Sequence, residues 1–108
     1  MILKDFGIGW QNKFEPKLQT LFNKLSDIKI ERMERYYGML RINVRALDND
    51  IQFIVDCVTH VIERESVKTC EHCGKHAVRR YELISEPMCL CLTCYTLLVD
   101  STLSQQTQ

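Results

Sequence analysis

Two C-x-x-C motifs restrict the folds open to this chain. Cys70-Glu71-His72-Cys73 and Cys91-Leu92-Thr93-Cys94 are separated by seventeen residues, 74 to 90. Cysteines three apart in a tight turn put both sulfurs on one side. Two such turns supply four thiolates at the corners of a tetrahedron, about 2.3 Å from a Zn²⁺ ion. Gly74 follows the first pair and permits the positive φ that such a knuckle needs. The spacing therefore predicts a zinc site on Cys70, Cys73, Cys91 and Cys94. Four thiolates leave no position for a reacting water, so this zinc is expected to be structural, its affinity adding to folding. A thioredoxin-like redox site needs one C-x-x-C rather than two matched pairs. Iron–sulfur ligation is the remaining four-cysteine alternative. Cys89, His72 and His76 stand close enough in sequence to compete as ligands.

The chain has 108 residues and six cysteines, fourteen basic and fourteen acidic side chains, and 45% hydrophobic residues. That is ordinary globular composition. Residues 1–66 carry ten charges of each sign and residues 67–108 four of each, so neither half is a polycation that would bind phosphate backbones through counterion release. No apolar run is long enough to span a membrane. The start, Met1-Ile2-Leu3-Lys4-Asp5, lacks the apolar stretch of a secretory signal. The expected compartment is the cytoplasm, where cysteines stay reduced and serve metals rather than disulfides.

Phe6-Gly7-Ile8-Gly9-Trp10 reads as an irregular loop whose aromatics either cap the core or, for Trp10, meet a partner. Leu18, Leu21, Phe22 and Leu25 form one stripe of a helix over 15–26, with Pro16 in its first turn. Ile28 and Ile30, and then Leu40, Ile42, Val44 and Ala46, alternate with polar residues on either side of Gly38, which predicts a β-hairpin in preference to a charged helix over 28–36. Asp48 or Asn49 can cap a long amphipathic helix over 48–66. Its apolar stripe is Ile51, Ile54, Val55, Val58, Val61 and Ile62, with Gln52, Asp56, Thr59, Glu63 and Arg64 opposite. Cys57 is expected to be buried on that helix and His60 solvated. Residues 77–84 and 88–92 read as strands around a Ser85-Glu86-Pro87 turn, with a short helix from Tyr95. Knuckle, hairpin and helix in that order describe a treble-clef-like zinc finger, with a zinc ribbon, which has no closing helix, as the near alternative. The fold class is α+β, with residues 1–66 as an N-terminal part, 67–100 as the finger packed on it, and 101–108 as a flexible tail.

No nucleophile-and-base set is evident. The chain lacks G-x-S-x-G, a Walker loop, H-E-x-x-H and G-x-G-x-x-G, and it lacks the H-x-E…P-C-x-x-C pattern of zinc deaminases. A non-enzyme is expected.

The segment Ile28 to Ile42, with its Tyr37-Gly38-Met39-Leu40-Arg41 turn, together with Gly9-Trp10, the Cys70 to Gly74 knuckle and the Cys91 to Cys94 knuckle, resembles a pattern in short hypothetical proteins of phages and bacteria. The likeness covers about residues 6–98. It implies a phage or mobile-element setting in a bacterial host cell, where small proteins bind host machinery, including defence systems such as CRISPR effectors. The resulting expectation is a zinc-stabilised inhibitor that docks on another protein. Trp10, Tyr36, Tyr37 and Arg41 are the contact residues expected from residue type alone, because Trp, Tyr and Arg dominate binding hot spots. The alternative is a nucleic-acid-binding regulator presenting Lys75, Arg79 and Arg80. A third reading is a redox or zinc sensor that uses Cys89 with Cys91. The sequence also admits a homodimer, through the second helix or a hairpin edge.

Overall fold

The computed structural model describes residues 1–25, 27–77, 79–82 and 87–106, with the side chains of 79–82 and 100–106 outside the description. Helix α1 spans Ile8–Lys24. It starts well before the expected loop ends, so Gly9 and Trp10 lie in its first turn and Pro16 in its middle, on the exposed side. Trp10, Phe14, Leu18 and Leu21 recur at helical spacing and form its buried face.

Strands β1 (Ile28–Tyr36) and β2 (Met39–Ala46) pair antiparallel, as the alternation predicts. The loop is Tyr37-Gly38, with φ of 50° and 81°. Positive φ at both loop residues is the pattern of a type I′ turn, whose twist matches that of the strands. One feature escapes the alternation. The register jumps between Ile30 and Arg32, leaving Glu31 as an extra residue in a β-bulge. The bulge resets the period, so Ile28 and Ile30 share a face with Met33 and Arg35 rather than with Arg32 and Glu34. Arg35 is thereby turned inward.

Helix α2 (Asn49–Ser66) is capped by Asp48, whose carboxylate accepts from Asp50 N–H at 2.7 Å and Ile51 N–H at 3.3 Å. Its buried face is Val55, Thr59, Ile62 and Ser66, which is rotated from the expected stripe. Gln52, Glu63 and Ser66 accept from the N–H groups of Ala46, Ile42 and Leu40, and so close the free edge of β2. A polar residue on a helix can face inward when a strand edge needs its acceptor.

The C-terminal third continues with β3 (Arg79–Glu82) and β4 (Pro87–Leu90), a second antiparallel pair separate from the first. Most of the expected Ser85-Glu86-Pro87 turn lies outside the described residues. Helix α3 spans Leu92–Gln106. It begins before Cys94 rather than at Tyr95, and runs through residues 101–106, which the sequence reads as a tail. The protein is a mixed α+β fold. Trp10, Phe14, Ile42 and Ile62 share one buried cluster with Cys70, Cys89, Leu90 and Cys94. No helix among the described residues is long and apolar enough to cross a membrane.

Candidate metal centre

The first pair of cysteines sits in a tight knuckle. Cys70 N–H donates to Lys75 O at 2.7 Å, Gly74 N–H donates to Cys70 O at 2.9 Å, and Gly74 has φ 83°. The flanking residues Thr69 and His76 form a bridge, so the knuckle closes like a hairpin. The second pair sits at a helix start. Tyr95 N–H donates to Cys91 O at 2.9 Å, which makes Cys91 the residue before the first turn of α3 and places Cys94 inside that turn. Amide protons exposed at a helix start favour thiolate there.

These two elements bring four sulfurs together. The Sγ atoms of Cys70, Cys73, Cys91 and Cys94 all lie within 4.8 Å of one another. Cys73 Sγ and Cys91 Sγ are 3.7 Å apart. A tetrahedron with bonds of about 2.3 Å has edges of about 3.8 Å, whereas a disulfide needs about 2.05 Å. The cysteines are free thiols at the spacing of a tetrahedral metal ion. Their proton affinities diverge. The backbone N–H of Cys94 is the main cause that lowers Cys91 to about 7. Burial, and then the neighbouring sulfurs, push Cys94 strongly up. Burial also raises Cys73. Sulfurs this close cannot all carry negative charge unless a cation neutralises them. The donor set therefore suits a metal ion, which all four cysteines would hold.

The competing ligands fall elsewhere. His72 and His76 are exposed and stand outside the sulfur cluster. Cys89 is fully buried, with its Sγ 3.4 Å from Val67 O and 3.5 Å from Ala77 O. It ties β4 to the chain leaving α2, and the same burial removes it as a redox sensor. Cys57 is exposed rather than buried.

The feature that sequence reasoning missed is Glu71, inside the first knuckle. It is 0% exposed. Its carboxylate takes both Arg35 Nε–H, at 2.7 Å, and Arg35 Nη2–H, a two-point pair. It also accepts Gly7 N–H at 3.0 Å, and its carbonyl accepts Gly9 N–H at 2.8 Å and Trp10 N–H at 3.2 Å. The start of α1 has no side-chain cap of its own, so a residue of the metal knuckle satisfies its otherwise orphaned N–H groups. Carboxylate at a helix N-terminus is also favoured by the helix dipole. The signal lay in Gly7-Ile8-Gly9: a helix opening on glycine, without Ser, Thr, Asp or Asn, must find its acceptors elsewhere.

The glycine at position 9 is needed for close approach. A Cβ there would lie 2.3 Å from Gly74 N and 2.4 Å from Cys70 O. Elsewhere in a helix Gly→Ala gains about 1 kcal/mol. Here the methyl meets backbone that cannot rotate away, at a cost of about 3 kcal/mol, the upper end for overpacking. Gly9→Ala is expected to lower the thermal midpoint by on the order of 10 °C. A rise would mean that α1 does not seat on the knuckle.

The chain matches no protein-family model, no curated protein and no solved structure. None of these comparisons supports the expected kinship with short phage and bacterial proteins.

The expected contact residues divide in the structure. Trp10 is 0% exposed, with its indole N–H donating to Thr69 O at 3.0 Å. It belongs to the core and is unavailable to a partner. Tyr36, Tyr37 and Arg41 meet at the tip of the first hairpin. The two tyrosine rings pack edge to face at 4.7 Å, and the Arg41 guanidinium lies 5.0 Å from the Tyr36 ring centre. Tyr37 is 63% exposed. Lys75 is exposed beside the knuckle, whereas the side chains of Arg79 and Arg80 lie outside the described residues.

Proposed function

We propose that this chain is a non-enzymatic binding protein, held together by a structural zinc in a treble-clef-like finger, that acts by docking on another protein. The observation that carries the reading is the hairpin tip. Tyr36 and Tyr37 expose aromatic surface, already ordered against each other and against the half-buried Arg41, on a two-residue turn. Preordered aromatic and Arg side chains lose little entropy on binding and are the common anchors of interfaces. Four thiolates on the metal leave it no open position for substrate, which supports a scaffold role. In the phage or mobile-element setting that the motifs resemble, the partner is a component of host machinery such as a CRISPR effector, and binding inhibits it in the bacterial cytoplasm.

The test is capture from nuclease-treated bacterial lysate with the wild-type protein and with Tyr37→Ser/Arg41→Glu. The expected result is a stoichiometric protein held by the wild type and lost, by about 100-fold in affinity, from the tip variant. Capture that needs intact nucleic acid, and that falls with Lys75→Ala/Arg79→Ala/Arg80→Ala instead, would favour the regulator reading.

A further inference from the structure

Helix α2 carries an apolar surface that the fold leaves uncovered. Opposite the face that packs on the sheet, Phe53, Ile54 and Val61 are 71%, 48% and 45% exposed, with Cys57 exposed between them. An open groove of about 600 Å³, lined by Pro16, Thr20, Cys57, Val58 and Val61, runs along one side of this stripe between α1 and α2. Single apolar side chains are normal on a surface, but a contiguous stripe over two helical turns marks an interaction face.

The residues around Cys57 indicate what covers it. Four positions before and after it stand Phe53 and Val61, and seven positions before and after it stand Asp50 and Arg64. Two copies of α2 laid antiparallel about a two-fold axis at Cys57 put Phe53 of each on Val61 of the other. They also put Asp50 of each on Arg64 of the other. An isologous interface needs this self-complementarity. The opposite charges close both ends of the apolar stripe, and neither Asp50 nor Arg64 makes an ion pair within the chain among the described residues. Parallel pairing would set like charges on each other. Pairing along the edge of β2 is disfavoured, because Gln52, Glu63 and Ser66 already occupy the N–H groups of Ala46, Ile42 and Leu40. We infer that two copies of this chain associate through α2, antiparallel, with Cys57 at the two-fold axis. The inference does not depend on the docking function proposed above.

Sedimentation of the metal-loaded full chain tests it. The wild type is expected to rise with concentration from 12.7 kDa towards twice that mass. Phe53→Asp, at an exposed position, should stay monomeric, with the thermal midpoint that the wild type shows at dilutions where it too is monomeric. Asp50→Arg should weaken association about tenfold through the two lost ion pairs, and Asp50→Arg/Arg64→Asp should restore it. Helices packed 8–10 Å apart leave facing Cα atoms about 5 Å apart, within disulfide reach. Diamide, which takes up two protons and two electrons from a thiol pair, should therefore link wild-type copies covalently but not Cys57→Ser copies. A monomer at every concentration, a dimer that survives Phe53→Asp, or a charge swap that fails to restore association would each overturn the inference.

Discussion

Replacing Cys70 with serine is expected to unfold the C-terminal third of this protein and to loosen the rest. A structural zinc in a small finger contributes about 10–16 kcal/mol of apparent binding free energy, as much as or more than the about 5–15 kcal/mol net stability of a typical domain. The effect is not confined to the finger. The residue after Cys70 is Glu71, which holds the start of α1 and the side chain of Arg35. Chelation of the metal should act in the same way. Trp10 is the chain's one tryptophan, and it is buried with its indole N–H on Thr69 O, next to Cys70. Its fluorescence is therefore a built-in reporter. Metal removal, or Cys70→Ser, is expected to shift Trp10 emission to the red, with reversal by added zinc in the wild type only. Cys57→Ser should leave both emission and metal content unchanged. Unaltered emission after complete removal of the metal would show that the ion does not hold the knuckle in place.

Removing Arg35 has the next largest expected effect. Arg35→Met strands the Glu71 carboxylate in a fully buried site, at a cost of about 3–5 kcal/mol. Glu71→Leu removes the charge but leaves Gly7 N–H without its acceptor and takes the carboxylate from the largely buried guanidinium of Arg35, so it costs a comparable amount. Both changes together remove the buried charges as a pair, and the double variant should be less destabilised than the sum of the singles by more than about 1 kcal/mol. Denaturant unfolding of the metal-loaded variants measures the coupling. Simple additivity would mean that the two side chains do not hold the halves together.

The legible parts of this structure are those set by short-range pattern. Four ligands in two C-x-x-C pairs fix a site through chain geometry alone, and the four cysteines converge as the spacing predicts. The two-residue periodicity on either side of Gly38 is enough for the hairpin, and the Asp48 cap with a long apolar stripe is enough for α2. What the pattern cannot carry is the way elements are joined. Gly7-Ile8-Gly9 looks like a loop because the acceptors for this helix start lie more than sixty residues away, on Glu71. Glu71 itself looks like a solvated charge until the Glu31 bulge turns Arg35 towards it. Gln52 and Glu63 look outward-facing until β2 needs acceptors along its edge. Trp10 resembles a contact residue by type and is a core residue by place. Each of these outcomes is decided by a partner distant in the chain, where local periodicity holds no information.

The structural claim at the centre of this account is a metal closed off by four cysteine sulfurs. X-ray absorption at the zinc edge of the purified protein, with metal content measured on the same sample, tests it most directly. The expected result is one zinc per chain with four sulfur neighbours at about 2.3 Å and no nitrogen or oxygen bound to it. A histidine nitrogen or a water oxygen bound to the zinc would contradict it, as would a protein purified without metal whose Cys70, Cys73, Cys91 and Cys94 are joined as disulfides.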